Sequence, residues 1–472
     1  MLALLPLVIL AATPIVLLLT ISTERRHALT AGLALTGLVG ALLALPTAAA
    51  QAPRDVTVLL RVDASGLAYA ALAIVAAACL VVIGYRYVGA REANPEEYYV
   101  LLLIATAGIV AMAFSTHFVS FYLGLEILSV SLYGLMAYFR RDRWGTEAGM
   151  KYLVLASASA AFLLFGMALI YAELGTMTFA GLVAASPEQM SNAVVLLGLA
   201  MLCASIGFKL SIVPFHYWTP DIYDGAPASV VAFASTAGKL GVFAVIVRYF
   251  LLPVGAVTSG LTTYLVVTAV ASMLVGNLLA LLQTNLKRLL AYSSIAHMGY
   301  IAVAFLAHGP VAAETVTFYV LGYTLASIAV FGVIAVLSTE PGRTSDLDHI
   351  ADYKGLLRTR PVLGAVLIAG LLSFAGIPLT AGFLGKVYVV LAGAQDGHWF
   401  VLLALALSSV AGAWYYLRVV VAVCSTPDGE SALERPSVPA APTAVLAVLA
   451  VAVLILGTYP APVLAVIESL HR

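Results

Sequence analysis

Residues 207–221 of this chain read GFKLSIVPFHYWTPD, a stretch that places a lysine and two prolines beside a long apolar run. A second stretch, SFAGIPLTAGFLGK at 373–386, again combines a proline, small residues and a nearby lysine. Proline removes a backbone donor and clashes with the preceding turn, so each helix should kink or open there. Carbonyl groups freed in lipid need a partner, and such breaks therefore survive only against protein or water. The two stretches predict interrupted membrane helices, each with a charge beside its break.

The composition predicts an integral, all-α membrane protein. Of the 472 residues 62% are hydrophobic and 10% are charged, with a mean hydropathy of +1.05. Soluble domains carry about 25% charged residues. Since a membrane helix needs about 20 apolar residues, the chain offers about fourteen such segments. They lie near 2–21, 28–50, 64–85, 98–116, 118–138, 151–172, 193–213, 228–252, 260–282, 289–307, 312–338, 361–391, 398–422 and 440–467.

Several other classes of protein are disfavoured by what the sequence lacks. No Lys or Arg precedes Arg25, so the first segment should be a retained membrane helix rather than a signal peptide. Cys79, Cys203 and Cys424 form no CxxC pair, and there is no Gly-rich dinucleotide fingerprint or P-loop. We therefore expect no metal and no redox cofactor in this chain. A net charge of zero gives no indication of a nucleic-acid partner.

The basic residues predict the orientation. Loops after even-numbered segments hold only Arg54 and Arg61, with Arg248 near a segment end. By the positive-inside rule the odd-numbered loops are cytoplasmic and both termini face the periplasmic, outer side. The odd-numbered loops carry Arg25, Arg26, Arg86, Arg91, Arg140, Arg141, Arg143, Lys287, Arg288, Arg343, Lys354, Arg358, Arg360, Arg418 and Arg435.

The two interrupted segments, the seventh and the twelfth, predict an internal repeat. Interrupted segments at corresponding positions of two halves are typical of transporters built from inverted repeats. A five-helix repeat must insert its second copy upside down, because five crossings end on the opposite face. We predict repeats of segments 4–8 (97–252) and 9–13 (253–425), flanked by segments 1–3 (1–96) and segment 14 (426–472). The alternative is two unrelated prolines in a large helical bundle.

Charges inside the apolar segments are the candidate functional residues. An ionisable side chain at the bilayer centre costs roughly 2.5–3.5 kcal/mol on insertion scales, so repeated examples suggest proton or ion handling. Glu126 lies between Gly124 and Ser129, small residues that let helices approach and water enter. Its most plausible partner is Lys209, whose proton would be released if the carboxylate moved away. The alternative is a static buried pair.

Three lysines and two histidines could extend a proton path. Lys239 has no carboxylate in its own segment, and Lys386 closes the broken twelfth segment, so both are interpreted as hydrated relay positions. Lys151 lies near a segment end, where it could instead extend to the interface. His216 and His297 titrate in a range suited to proton transfer, but buried histidines with satisfied hydrogen bonds explain them equally well.

Four further charges have simpler interpretations. Lys287 and Arg288 are expected to be cytoplasmic anchors that obey the positive-inside rule. Asp221 and Asp224 stand in a turn bounded by Pro and Gly, and we expect them to be solvated.

Several runs resemble a known family. Residues 214–227 (PFHYWTPDIYDGAP), 284–297 (TNLKRLLAYSSIAH), 151–153 (KYL), 162–168 (FLLFGMA) and 376–386 are similar to the antiporter-like subunits of respiratory complex I. The WTPDIYDGAP run is nearest to subunits of the N type. The M type differs after the tryptophan, and the lateral C-terminal helix of the L type has no counterpart after the last segment. The resemblance covers roughly residues 95–425 and implies the two inverted five-helix repeats.

The resemblance also implies roles for individual residues. Glu126 would be the glutamate of the fifth helix and Lys209 the lysine of the seventh, forming a coupled pair. Lys239 and Lys386 would continue a charged row across the middle of the membrane. A change on the quinone side would loosen the Glu126–Lys209 pair, and a proton would then pass from Lys209 to Lys239 and Lys386.

The implied function is a subunit of a translocating NADH:quinone oxidoreductase in a bacterial inner membrane. FMN, iron–sulfur clusters and quinone would belong to partner subunits, while neighbours of the antiporter-like M type and the small K and J types, together with lipid, would contact this chain. Three alternatives stay open. A subunit of a multi-component cation/proton antiporter shares the repeat and the charged row. A membrane enzyme with its own haem or quinone site would need paired histidines or metal motifs, and a purely structural scaffold does not explain the buried lysines.

Overall fold

The computed structural model describes residues 2–251, 259–307, 309–339, 345–395, 397–426 and 440–471. Arg343, Arg435 and residue 252 of the predicted eighth segment lie outside these ranges. The helices are α1 (Leu5–Thr23), α2 (His27–Leu43), α3 (Leu45–Ala49), α4 (Ala64–Arg91), α5 (Glu96–Ala113), α6 (Phe118–Met136), α7 (Arg143–Leu174), α8 (Phe179–Val183), α9 (Pro187–Met190), α10 (Ala193–Leu210), α11 (Trp218–Gly225), α12 (Ala228–Ser235), α13 (Ala237–Ile246), α14 (Ser259–Leu281), α15 (Leu286–Ala304), α16 (Pro310–Leu337), α17 (Leu356–Thr359), α18 (Pro361–Ala375), α19 (Ala381–Gln395), α20 (Trp399–Cys424), α21 (Ala440–Thr458) and α22 (Ala461–His471).

Other regular structure is short. Leu2–Leu4 and Ile350–Tyr353 form 3₁₀ turns, and Val247–Leu251 continues α13 as a π-helical turn. Strands β1 (Arg54–Asp55) and β2 (Arg61–Val62) pair antiparallel. The prediction of an all-α membrane protein is confirmed, because helices account for the remaining regular structure in the part of the chain that is described.

Most predicted membrane segments are found as helices, but the fourteenth is not a single span: it is divided into α21 and α22 at Pro460, which lacks a backbone donor. Twelve helices within the described ranges are long and apolar enough to cross a membrane. The predicted tenth segment is α15, whose polar residues keep it outside that group, and the twelfth is divided between α18 and α19. The division between the fourth and fifth segments, which depends on residues 115–117, is also present, since α5 ends at Ala113 and α6 begins at Phe118.

The break after α10 has a built-in set of hydrogen bonds. Ser211 adopts a left-handed conformation (φ 66°), and the amide of Ile212 donates to the carbonyl of Gly207. This is the pattern that commonly ends a helix by returning amides to its last free carbonyls. The indole of Trp218, the first residue of α11, donates to the carbonyl of Phe208 at 2.8 Å. Protein groups therefore supply the partners that carbonyls freed in a membrane require.

The break between α18 and α19 repeats this arrangement. Gly376 is left-handed (φ 77°), and the amide of Ile377 donates to the carbonyl of Leu372. Here a lysine satisfies the freed carbonyls: Lys386 Nζ donates to the carbonyl of Phe374 at 3.1 Å and to that of Ala375 at 2.9 Å. The two predicted interruptions thus end in the same type of cap. This similarity fits two related repeats, whose boundaries stay a prediction.

A third interruption was not expected from the sequence. Segment 8 is divided into α12 and α13 at Thr236, where φ is −117° and ψ is −89°. The Thr236 hydroxyl donates to the carbonyl of Ala232 at 2.5 Å, a local bond that competes with the helical backbone pattern. No proline marks this break. Lys239 lies about one turn after the break, and its amide donates to the carbonyl of Thr236.

Burial separates the centre of the bundle from its faces. In the most apolar window of the α12–α13 span 94% of the residues are buried, and in that of α16 the share is 89%. The corresponding share is only 33% for α7, so α7 lies at an outer face. Close contact between α5 and α6 needs Gly124, where a Cβ would lie 2.8 Å from the carbonyl oxygen of Gly108. This contact fixes the helix that carries Glu126.

Gly376→Ala should destabilise the assembled protein. A left-handed conformation costs an L-residue roughly 1–2 kcal/mol. The new Cβ would also lie 2.9 Å from Cδ of Lys386. We expect a lower melting temperature in a thermal-shift measurement on the purified complex. Gly32→Ala is the control, because the site has no heavy atom within 4 Å and no positive φ. Equal melting temperatures for both variants would contradict the prediction.

Candidate functional site

Lys209 is held by hydroxyl groups. It lies in the last turn of α10 with 5% of its surface exposed, and its ammonium donates to Ser129 Oγ at 3.3 Å and to Tyr152 Oη at 3.1 Å. The same nitrogen is 5.7 Å from the centre of the Tyr152 ring. Its position near the C-terminal end of a helix adds a favourable interaction with the helix dipole.

Glu126 is near Lys209 but forms no ion pair with it. The two charges interact electrostatically, yet the described side chains show no nitrogen–oxygen contact within 4.0 Å between them. Glu126 is half-buried on α6, one turn before Ser129, and its Oε1 atom has no hydrogen-bond partner among the described residues. Glu126 and Lys209 are therefore neighbours, as predicted, but the direct contacts of the lysine are with a serine and a tyrosine.

Lys239 has a similar environment in the centre of the bundle. It is 2% exposed at the start of α13, and its ammonium donates to Ser294 Oγ at 2.9 Å. The hydroxyl of Tyr323 donates to the same oxygen, also at 2.9 Å. Among the described residues, Lys239 makes no ion pair with a carboxylate.

His297 connects the central lysine with the second broken helix. Its Nδ1 atom is 2.8 Å from Tyr319 Oη, and its Nε2 atom is 3.2 Å from Tyr416 Oη. Its ring packs against Tyr323 at 5.4 Å, the tyrosine that shares Ser294 with Lys239, and against Tyr300 at 5.5 Å, the ring nearest Lys386. A neutral imidazole donates through one ring nitrogen and accepts through the other. This histidine can therefore exchange a proton with a neighbour on either side.

Lys386 ends the row at the α18–α19 break. Besides the two backbone carbonyls already described, its ammonium donates to Ser409 Oγ at 2.9 Å. The nitrogen also lies 4.9 Å from the centre of the Tyr300 ring. The Tyr300 hydroxyl accepts from Asn277 Nδ2 at 2.9 Å, and Tyr415 donates to Asn277 Oδ1 at 3.0 Å. A polar network thus extends beyond the last lysine.

The three lysines have the same kind of surroundings. Each is buried, each donates to a serine hydroxyl of a different helix, and none forms an ion pair with a carboxylate in the described part of the chain. A serine or tyrosine hydroxyl can both accept and donate a proton, whereas a carboxylate at neutral pH only accepts. The arrangement suits movement of protons along Lys209, Lys239, His297 and Lys386.

Sequence reasoning did not identify most of these partners. Ser129 was noted only as a small neighbour of Glu126, and Tyr152, Ser294, Tyr323 and Ser409 were not singled out. A usable signal is a hydroxyl-bearing residue inside an apolar segment, but the contacts join residues 23 to 80 positions apart. The sequence alone does not say which hydroxyls meet which lysines.

Two candidate relay residues lie apart from this row. His216 is 4% exposed in the turn between α10 and α11, where its ring stacks on Tyr217 at 4.5 Å between centroids. Its Nδ1 atom has no hydrogen-bond partner among the described residues. Lys151 has 46% of its side chain exposed and forms ion pairs with Glu147 at 2.8 Å and Asp221 at 3.5 Å. Their relay roles stay predictions.

The structure corrects two interpretations of the surrounding charges in part. Asp221 is exposed, as expected, but Asp221 and Asp224 lie on α11 rather than in a turn, and Arg288 pairs with them at 3.2 and 3.5 Å. Together with Lys151 they line an open cavity of about 320 Å³. Lys287 is buried, with only 3% of its surface exposed, so it is no simple solvated anchor; its cytoplasmic side stays a prediction.

The carboxylate of Asp346 holds Lys287 in a buried ion cluster. Asp346 lies 2.9 Å from Lys287 and 2.9 Å from Arg91, and it accepts from Tyr87 Oη at 2.7 Å. Burial alone would raise the pKa of Asp346, but the charges of Lys287 and Arg91 outweigh it and leave the pKa below its usual value. The partner of Lys287 is 59 positions away, so no local pattern in the sequence indicates this pair.

Comparison with known proteins gives a consistent result. A family model described as "NADH:quinone oxidoreductase/Mrp antiporter, TM" matches residues 115–412. The NADH-quinone oxidoreductase subunit N of Ectopseudomonas mendocina (strain ymp) is 45% identical over 479 residues, covering 99% of this chain and 96% of that protein. A chain in the respiratory complex I of Thermus thermophilus with bound aureothin is 33% identical, with a TM-score of 0.83 and 98% coverage of both chains.

Two more distant structures share the fold alone. One is a chain of the membrane-bound sulfane sulfur reductase, an archaeal respiratory membrane complex, with 24% identity and a TM-score of 0.88 over 99% of this chain and 96% of that one. The other belongs to the Mrp complex from Dietzia sp. DQ12-45-1b, with 20% identity and a TM-score of 0.85 over 100% and 97% of the two chains.

Asp346→Asn should destabilise the protein strongly. The change leaves Lys287 and Arg91 buried without a counter-charge, and breaking a buried pair typically costs about 3–5 kcal/mol. We expect a clear drop in melting temperature or loss of the assembled complex on native gels. Asp55→Asn is the control. This carboxylate is largely exposed and lies 3.8 Å from Arg61, so its loss should change the melting temperature little.

The same carboxylate predicts acid sensitivity. Since its pKa is lowered in the folded protein, its stabilising contribution is fully present above the ordinary value of 3.8 and is lost as the pH falls through the lower folded value. In a pH series of melting curves, the parent should therefore lose stability at the acid end faster than Asp346→Asn does. Parallel curves would contradict this assignment.

Proposed function

Because the chain belongs to the NADH:quinone oxidoreductase/Mrp antiporter family of transmembrane proteins, we propose that it is a proton-translocating membrane-arm subunit of an NADH:quinone oxidoreductase. The observation that carries the proposal is the buried row of Lys209, Lys239, His297 and Lys386, whose side-chain contacts are hydroxyl groups rather than carboxylates. Full-length similarity to a subunit N supports the choice of complex. Electrons would pass from NADH to quinone in other subunits.

The coupling step is assigned to Glu126 and Lys209. An opposite charge nearby favours the ammonium form of a buried lysine, and burial without one favours the neutral amine. In the structure Glu126 stands beyond ion-pair distance while Ser129 and Tyr152 hold the nitrogen. Movement of the carboxylate towards Lys209 would load the lysine with a proton, and movement away would release it. Electron transfer on the quinone side supplies the driving change.

The released proton then moves through the centre of the bundle. Lys239 receives it, His297 exchanges it between the two lysine environments, and Lys386 holds it at the broken helix. At Lys386 the carbonyls of Phe374 and Ala375 stabilise the positive charge, because they lie at the C-terminal end of α18. Discharge to the outer side completes the cycle and allows the next proton to enter.

The remaining parts of the assembly follow from the same proposal. The basic loops face the cytoplasm, both termini face the periplasmic side of a bacterial inner membrane, and protons move outward. FMN and the iron–sulfur clusters belong to partner subunits, as does the quinone site. Neighbours would be an antiporter-like subunit of the M type and small subunits of the K and J types, with lipid against the remaining apolar faces.

A subunit of a cation/proton antiporter is the second candidate. The fold shared with a chain of an Mrp complex favours it, and the fold alone does not separate the two functions. The 45% identity to a subunit N over nearly the whole chain favours the first candidate. The two differ in what drives transport: NADH oxidation in the first case and an ion gradient, without NADH, in the second.

Lys209→Ala should lower NADH-driven proton uptake into inverted membrane vesicles by roughly tenfold or more, since a positioned proton-transfer group typically contributes about 10²–10⁴-fold. Glu126→Ala should also lower NADH-driven proton uptake. The complex should still assemble, which native gels and the NADH dehydrogenase activity of its hydrophilic part would show. Normal proton uptake by an assembled Lys209→Ala complex would overturn the proposal.

Lys151→Ala provides the matched comparison for a lysine outside the row. Its ion pairs with Glu147 and Asp221 are exposed, and such pairs contribute about 0–1 kcal/mol. We expect proton uptake within about twofold of the parent in the same vesicle assay. A loss as large as that of Lys209→Ala would place Lys151 on the proton path after all.

A further inference from the structure

The row contains a gap between its first two lysines. The contacts of Lys209 end at Ser129 and Tyr152, whereas those of Lys239 end at Ser294 and, through it, Tyr323. In the described part of the chain, no direct hydrogen bond joins the two groups. A proton that moves from Lys209 to Lys239 therefore needs an additional carrier between Tyr152 and Ser294.

Tyr223 occupies this position. It lies on α11, is fully buried, and its ring packs edge-on against Trp218 at 6.2 Å and Phe331 at 6.0 Å. The same Trp218 ring packs on Tyr152 at 5.2 Å. The Tyr223 hydroxyl lies near Tyr152 and near Ser294, which accepts from both Tyr323 and Lys239. It is thus adjacent to a partner of each lysine.

The hydroxyl of Tyr223 is also unsatisfied. Among the described residues no partner lies within the 3.5 Å of an ordinary hydrogen bond, although the residue is buried and Ser294 is close to its hydroxyl. An unpaired buried hydroxyl costs about 1–3 kcal/mol, and a phenylalanine would fill the same ring site without that cost. Packing of the ring against Trp218 and Phe331 therefore does not explain why this residue carries an O–H group. A proton-transfer role does.

We propose that Tyr223 is the proton-transfer link between Lys209 and Lys239. The inference rests on the proposed function, since it needs a proton to leave Lys209. An N–H bond of Lys209 breaks as Tyr152 accepts the proton, Tyr152 passes its own proton to Tyr223, and Tyr223 passes its own to Ser294. Ser294 gives its proton to neutral Lys239. Each hydroxyl gains one proton and loses one, so a single positive charge has moved from Lys209 to Lys239.

The open hydroxyl makes this link a point of control. As the structure stands, the Tyr223 hydroxyl lies close to Ser294 but makes no hydrogen bond within 3.5 Å, so the chain of hydroxyls is interrupted at this point. A small rotation of the side chain, or one water molecule beside it, closes the interruption. Because α11 also carries Asp221 and Asp224 in its surface ion cluster with Arg288, a shift of that helix would move Tyr223 with respect to both lysines.

The test is Tyr223→Phe in the complete complex, reconstituted into vesicles. The change removes only the O–H group and keeps the ring against Trp218 and Phe331. We expect the rate of NADH-driven proton uptake to fall roughly 10- to 100-fold, since loss of one positioned proton-transfer group costs on this order. We also expect a larger solvent deuterium isotope effect on the remaining uptake, which a structural role would not produce.

Tyr98→Phe is the matched control. Tyr98 is buried to the same degree, and its hydroxyl donates to Ser229 at 3.2 Å, away from the row. Removal of this hydroxyl should leave proton uptake and its isotope effect at the parental values. The pair of variants separates loss of a buried hydroxyl in general from loss of the one between the lysines.

The outcomes separate this inference from the function on which it rests. If Tyr223→Phe pumps normally while Lys209→Ala does not, the link is wrong and the proposed function stands. If Lys209→Ala also pumps normally, the proposed function fails. If the Tyr223→Phe complex does not assemble, Tyr223→Met decides, because it removes the same hydroxyl and puts a flexible apolar side chain in the ring site: slow uptake with a raised isotope effect supports the link, and normal uptake overturns it.

Discussion

The rest of the structure depends on three buried ammonium groups that have no carboxylate partner among the described residues. Lys209, Lys239 and Lys386 must receive their stabilisation from neutral oxygens, and a regular helix has no free backbone oxygens to offer. Each lysine accordingly lies within about one turn of a place where a helix ends or opens. At Lys386 the broken helix supplies its carbonyls directly, whereas at Lys209 the helix end and two hydroxyls share the task. The helix breaks and the buried lysines therefore depend on each other.

Lys287 differs from these three lysines in how its charge is stabilised. Lys287 is as deeply buried, but Asp346 holds it with Arg91 in an ion cluster that would cost several kcal/mol to break. Such a lysine keeps its proton and fixes the loops around it. A lysine surrounded by hydroxyls has near neighbours that both accept and donate, so its proton can leave without an unpaired carboxylate being left behind. One chain thus holds buried lysines in two kinds of surroundings: an ion cluster around Lys287, and the hydroxyl contacts on which the proposed proton transport depends.

The sequence predicted the features that depend on local chemistry. Apolar length predicted the membrane helices, and Pro214 and Pro378 predicted the two breaks, because a missing amide acts within its own turn. The break at Thr236 was missed, since a threonine hydroxyl bonding to its own helix carries no comparable signal. The partners of Lys209 and Lys287 were also missed, because contacts between distant helices depend on packing that a single sequence does not reveal. Glu126 and Lys209 were predicted as neighbours, and the hydroxyls around the lysine appeared only in the structure.

If the buried row carries protons during NADH oxidation, replacing its middle lysine, Lys239, should change proton uptake. Lys239→Met keeps the length of the side chain and removes the exchangeable proton. The measurement is the number of protons taken up per NADH oxidised by vesicles that contain the assembled complex. Vesicles with the Lys239→Met complex should take up fewer protons per NADH, or NADH oxidation should stop together with proton uptake. An unchanged ratio at an unchanged rate would contradict this prediction, because protons would then cross the membrane without this row.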